Sequence, residues 1–197
     1  MSKLFVDEIV HQSSQGSGTI TIGASGETIS VPSGATLDLS NATQTGVGGT
    51  NTPAFHAYLS SDQSVPSVTF TKIQFNTKVF DSSNAYDNTT NYRYTPQTAG
   101  KYFFYSKVFS GGAANGGNVH SQLITTIRKN GSDAAYSNLF FNTLTSGVDG
   151  SMTALIVLEM NGSTDYVETF HYSRNNNSFS AFGGAESSYF GGYKIIE

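Results

Sequence analysis

The sequence predicts an all-β protein: a compact head preceded by a slender N-terminal segment that several copies of the chain must share. Three observations lead there. Residues 19–40, TITIGASGETISVPSGATLDLS, repeat a four-residue alternation of polar and apolar three times, the period of a half-buried strand. Beyond residue 50, short alternating or apolar runs are separated by turn residues, and none shows helical period. One of those runs, KYFFYSKVF, carries aromatic rings on both of its faces.

In the N-terminal segment the alternations are Thr19-Ile20-Thr21-Ile22, Thr28-Ile29-Ser30-Val31 and Thr36-Leu37-Asp38-Leu39. The dipeptides Ser25-Gly26 and Ser33-Gly34 supply the turns between them. Six apolar side chains at ~2 kcal/mol each cannot offset the ordering of this backbone at roughly 1–2 kcal/mol per residue. A Gly/Ser linker, in turn, has no reason to hold Ile, Val and Leu in register. The simplest partner is another copy of the chain. Ile20, Ile22, Ile29 and Val31, with Leu37 and Leu39, are therefore candidate intersubunit residues facing a common axis. The polar stretch NATQTGVGGTNTP, residues 41–53, reads as a hinge. The expected organisation is a particle-attachment segment over 1–18, a β-structured shaft and hinge over 19–50, and a head over 51–197.

Within the head the expected strands are AFHAYL (54–59), SVTFTKIQF (67–75), KYFFYSKVF (101–109), VHSQLITTIRKNG (119–131), SMTALIVLEM (151–160), DYVETFHYS (165–173) and YFGGYKII (189–196). Turn signals part them: Lys129-Asn130-Gly131, Asn161-Gly162-Ser163 and the glycine-rich GGAANGG. So many short strands predict a sandwich or jelly roll. In KYFFYSKVF, Tyr102 and Phe104 share one face while Phe103 and Tyr105 share the other. A strand of a monomeric sandwich is apolar on one face and wet on the other. Phe103 and Tyr105 are thus candidates for a subunit interface, with coverage by a neighbouring loop as the alternative.

Composition excludes several classes. Charged residues make up 12% of the chain, about half the usual share. With 11 Tyr and 14 Phe there is ample material for a core. The net charge of −4, without any Lys/Arg cluster, argues against a nucleic-acid partner. Cysteine is absent, and no run approaches the ~20 apolar residues of a membrane span. MSKLFVDEIV has no apolar region of signal-peptide type. The four histidines, His11, His56, His120 and His171, lack metal-ligand spacing, so no metal and no cofactor is expected. Asp165 and Glu168 would face opposite sides of one strand and make no glycosidase pair. No serine sits in a nucleophile elbow. The sequence therefore predicts no enzyme.

Read in order, the head resembles the globular head of complement component 1q, within the tumour necrosis factor-like jelly rolls. The resemblance runs from PAFHAYL through the spaced Phe75, Asn76 and Tyr86, then Tyr94, Pro96, Gly100, Tyr102 and Phe104. The IRKNG turn, LIVLEMNGSTDYVETF and the closing YFGGYKII complete it. It departs from the family at MNGSTDYV, where only Gly162, Asp165 and Val167 match, and it has one extra residue between Pro96 and Gly100. The resemblance implies a ten-stranded jelly roll that assembles as a homotrimer. It implies no activity, since a fold hosts many functions.

The N-terminal part has no Gly-x-y repeat and is similar instead to the threefold β-shafts of virus and phage fibres. On that likeness the chain is expected to be a phage fibre protein on the virion surface, made in the host bacterial cytoplasm. Leu4, Val6 and Ile9 of LFVDEIV are candidates for attachment to a phage tail or capsid protein by strand addition, a frayed terminus being the alternative. The head is expected to bind a bacterial surface glycan or protein, or else only to decorate and stabilise the particle. Strand parity puts Arg174–Ser187, Thr143–Gly150 and Gly111–Asn118 at the end far from the hinge. Arg174, Asn176, Phe179, Phe182 and Asn115 in those loops are the receptor-binding candidates. For Phe179 and Phe182 the alternative is that the rings plug the top of the sandwich.

Overall fold

A computed structural model describes residues 28–37, 52–111, 121–141, 149–174 and 179–195. The chain divides into two units, Met1–Val47 and Gly48–Glu197. In the first, the described residues form no strand, and a turn at Ser33-Gly34 is closed by the Ala35 amide donating to the Pro32 carbonyl at 3.0 Å. Gly34 takes the positive φ of 85° that this turn needs. Ile29 and Val31 stand 60% and 45% exposed, so the described residues leave them largely uncovered. Ile20 and Ile22, like Leu4, Val6 and Ile9, lie outside the described residues.

Among the described residues the second unit carries 13 strands: β1 Ala54–Tyr58, β2 Gln63–Val65, β3 Thr71–Lys72, β4 Thr77–Asp81, β5 Tyr86–Asp87, β6 Arg93–Tyr94, β7 Gly100–Gly111, β8 Gln122–Lys129, β9 Ser132–Phe140, β10 Gly150–Met160, β11 Val167–Arg174, β12 Phe179–Ala181 and β13 Tyr189–Lys194. All pairings are antiparallel. The first sheet runs β2-β12-β7-β13-β1-β4, with β10 along the other edge of β7. The second runs β5-β6-β11-β8-β9, with β3 also on β11. Two such sheets face to face form the jelly roll that the strand pattern predicts.

The core lies between the sheets and is built on rings. Phe55 stacks on Tyr94 at 4.2 Å and on Tyr86 at 5.2 Å, and meets the edge of Phe190 at 5.0 Å. Tyr102 and Phe104 are fully buried, as their shared parity on β7 requires. Toward one end the core turns polar. His171 stands between the Thr125 hydroxyl, 2.8 Å from Nδ1, and the Ser110 hydroxyl, 3.0 Å from Nε2. Thr169 donates to the Ser106 hydroxyl nearby. These groups are inaccessible to solvent and answer one another, as buried polar groups must.

Several strands are shorter or more numerous than the sequence predicts. Of SVTFTKIQF only Thr71–Lys72 is a strand, because Val68 turns the chain with a positive φ of 60°. Beyond it the Gln63 side chain replaces a ladder partner, donating to the Lys72 carbonyl and accepting from the Gln74 amide, both at 2.8 Å. Interruptions of this kind give 13 strands among the described residues, several of them of two or three residues, where the resemblance implies ten. The edge strand β9 is absent from the expected set because its sequence, SDAAYSNLF, is polar and mostly exposed. It follows β8 through Asn130-Gly131, both with positive φ, which is the two-residue hairpin signal.

Candidate functional site

The outward face of the first sheet is its most unusual surface. Phe103 and Tyr105 point away from the core, side by side at 6.2 Å between ring centroids. Tyr193 of β13 lies 5.6 Å from Phe103, and Tyr189 lies 6.2 Å from Tyr105. His56 of β1 closes the cluster, 5.5 Å from Tyr189 and 6.1 Å from Phe80 of β4. On the other side of β7, Leu155 pairs with Tyr105 and Val157 with Phe103, so both join the same face. They are 56% and 51% exposed.

Gly191 makes this arrangement possible. It sits opposite Tyr105 in the β7–β13 register, and a Cβ there would collide with the tyrosine ring and hydroxyl. The missing side chain lets Tyr105 lie across β13 toward β1, where its hydroxyl stands 3.0 Å from His56 Nδ1. Burial lowers the His56 pKa and raises that of Tyr105, the neighbouring Tyr189 and Tyr193 adding to the latter. Both groups are uncharged at neutral pH. Charges appear only at the margins: Lys101 pairs across the ladder with Glu159 at one end, and Lys107 lies over the Tyr189 ring at the other. An apolar centre with a polar rim has the anatomy of a protein interface.

The far end of the sandwich is fixed by register. Ala54 pairs with Tyr193, and Lys194 with Tyr102, so the chain enters beside the start of β7. Gly150 pairs with Ser110, and Arg174 with Gln122, which puts the end of β7, both ends of the β9–β10 connection and the end of β11 at the opposite end. The described ends of the three connections that parity assigns to the far end lie there, although the one expected over Arg174–Ser187 contains strand β12 and the middles of the connections lie outside the described residues. A fourth, between β2 and β3, was not foreseen. It brings the exposed Val68 to the same end, its amide donating to the Ser173 carbonyl at 2.8 Å.

The receptor-binding candidates separate at this end. Arg174 is exposed and terminates β11. Asn176 and Asn115 lie outside the described residues. Phe179 is not a loop residue: it opens β12, is 3% exposed, and meets His171 edge-on at 5.7 Å. A ring so buried offers nothing to a receptor, and Phe179 takes the plugging role. Phe182 is half-buried and packs on Phe109 at 5.2 Å, at the far margin of the aromatic face.

Among the described residues, no group of three or more His, Cys, Asp or Glu could hold a metal ion, and no helix is long and apolar enough to cross a membrane. No protein-family model matches the chain, and no curated protein matches it. Solved structures do. Eiger TNF from S. frugiperda superposes with a TM-score of 0.51 over 73% of this chain and 92% of its own, at 10% identity. Murine APRIL at pH 5.0 and at pH 8.0 gives TM-scores of 0.46 and 0.48, at 14% and 15% identity, over 72% of this chain and 98% of its own. The likeness to Eiger shows the fold, a tumour necrosis factor-like jelly roll.

Proposed function

We propose that this chain is a homotrimeric phage fibre protein whose jelly-roll head binds the surface of a bacterial cell. The observation that carries the oligomeric part of this reading is the outward face of the first sheet, where Phe103, Tyr105, Tyr189, Tyr193, Leu155 and Val157 form one apolar surface around an uncharged His56–Tyr105 pair; the phage and receptor parts rest on the sequence. Such a continuous face on one side of a small head calls for a partner. A second copy of the same surface is the partner always at hand. The number three comes from the resemblance to trimeric heads and from the threefold shaft expected of residues 19–40. Arg174, together with the sequence candidates Asn176, Asn115 and Phe182, supplies the receptor contact. Leu4, Val6 and Ile9 attach the fibre to a tail or capsid protein, so the protein sits on the virion surface after assembly in the bacterial cytoplasm.

Sedimentation velocity of the full chain at micromolar concentration tests the assembly. The expected result is one species of three times the 21.0 kDa chain mass. A monomer overturns the interface and the shaft together. Adsorption of the purified protein to host cells tests the binding role, and a trimer that decorates particles without adsorbing to any host would leave only a structural one.

A further inference from the structure

The opposite side of the head carries a cleft of about 250 Å³, lined by Phe70, Ile124, Thr126, Asp133, Tyr136 and Asn138. It lies on the outer face of the second sheet, turned away from the face assigned to the trimer, and stays open when that face is covered. A bulge builds it. Between Ile127 and Arg128 the β8–β9 register slips, so Ala134 is an extra residue. Asp133 and Tyr136, an odd number apart, are thereby brought to one face. Strand parity read from the sequence would have separated them.

The chemistry of the lining is specific. The Arg128 guanidinium lies 4.1 Å over the Phe170 ring and 5.1 Å from the Phe70 centroid, and its Nε donates to Asp133 Oδ1 at 2.6 Å. Thr126 donates its hydroxyl to the same oxygen at 3.0 Å. Arg128 beside the cleft is therefore matched by Asp133, the carboxylate of the lining, and the neighbouring Lys72 is matched by Glu168, so neither an anion nor a metal finds a free charge. What is left are polar groups without net charge. Asp133 Oδ2 has no partner among the described residues. Asn138 uses Oδ1 to accept from Gln122 Nε2 at 3.1 Å, which leaves its Nδ2 to donate. Flanking them are two rings, Tyr136 at 67% exposure and Phe70 at the cleft's other side.

We infer that this cleft binds one ring of a neutral saccharide. A sugar offers a C–H face to stack on an exposed aromatic ring and hydroxyls that both donate and accept. Here the ring is Tyr136, the acceptor Asp133 Oδ2 and the donor Asn138 Nδ2. A purely apolar ligand would strand those two groups, and burying polar atoms unpaired is costly. The volume falls below the ~300–1,000 Å³ of pockets for drug-sized ligands, which suits a single ring with the rest of a chain in solvent. This site is on the flank of the head and stands whether or not the far end touches a receptor.

Saturation-transfer NMR on the full chain, with the methyl glycosides of glucose, galactose, rhamnose and N-acetylglucosamine as probes, tests it. At least one neutral glycoside is expected to receive transfer. Tyr136→Ala and Asn138→Ala should each weaken that binding about tenfold, Tyr136→Phe should retain it, and the melting temperature should not move, because both side chains are exposed. Transfer to none of the four, transfer only to a charged sugar such as sialic acid, or transfer that survives both alanine variants overturns the inference.

Discussion

His56 Nδ1 lies 3.0 Å from the Tyr105 hydroxyl at the centre of an otherwise apolar sheet face. Phe80 and Tyr189 pack on the imidazole from β4 and β13, and the nearest charges, Lys107 among them, sit at the margin. Burial already holds the His56 pKa below its ordinary 6.5, and covering the face with a second copy pushes it further the same way. The separated head therefore binds more protons than the assembled one as pH falls below 6.5. Assembly strength is fully present above the separated head's own lowered pKa and is lost as pH falls through it toward the still lower value of the covered imidazole. The trimer is expected to loosen as pH falls below 6.5, seen as a falling sedimentation coefficient. His56→Gln, which keeps a hydrogen-bonding group without the charge, should remove the dependence.

Gly191 gives a second handle on the same face. Gly191→Ala puts a methyl where the Tyr105 ring lies. In a lone head the ring can swing into solvent, giving up its surface contacts with His56 and Tyr189 but none of the core. In a trimer it has nowhere to go. Association should therefore weaken at least tenfold while the melting temperature of the diluted monomer changes little, read by sedimentation and by calorimetry.

Phe103 and Phe104 are adjacent in sequence and should fail in different ways. Phe104 is fully buried among Tyr94, Tyr102 and Phe190, so Phe104→Ala should lower head stability by about 3–5 kcal/mol in denaturant titration. Phe103→Ser touches no core contact and should act on association alone.

This difference was legible in the sequence, because a strand of alternating faces carries its own inside and outside. The long strands β7, β8, β10, β11 and β13, the aromatic core and the placement of the far-end connections all follow from that period of two. What escaped was set by tertiary contacts. No alternation marks Val68 as a turn, and its positive φ goes with a long-range hydrogen bond to Ser173. Nor does any alternation foretell that a bulge at Ala134 turns Asp133 and Tyr136 to one side. Phe179 looked like a loop ring because asparagines precede it, yet pairing with Val65 of β2 draws it into the first sheet. The β2–β12 pair joins residues more than a hundred positions apart, which no local window can see.

The buried polar end of the core should be sensitive to its histidine. His171→Ala removes the partner of both the Ser110 and Thr125 hydroxyls, which are inaccessible to solvent. Each stranded hydroxyl costs about 1–3 kcal/mol, and a cavity adds to it. A marked drop in melting temperature is expected. Replacing all three by apolar residues of similar shape, His171→Leu with Ser110→Ala and Thr125→Val, should recover much of the loss.

Phe179 and Arg174 decide how the far end is used. Phe179 is buried against His171, so Phe179→Ala is a core deletion and should cost about 3–5 kcal/mol. Any loss of adsorption in that variant is then a loss of fold. Arg174 is the opposite case. Its backbone carbonyl accepts from the Ser121 amide at 2.8 Å and the Ser121 hydroxyl at 3.1 Å, contacts that survive truncation of the side chain. Its exposed guanidinium can be deleted without disturbing the sandwich. Arg174→Ala combined with Asn176→Ala should leave the melting curve and the sedimentation of the trimer unchanged while adsorption to host cells falls by tenfold or more. Unchanged adsorption in the double variant would take receptor contact away from this end and leave the Tyr136 cleft as the surface to test on cells.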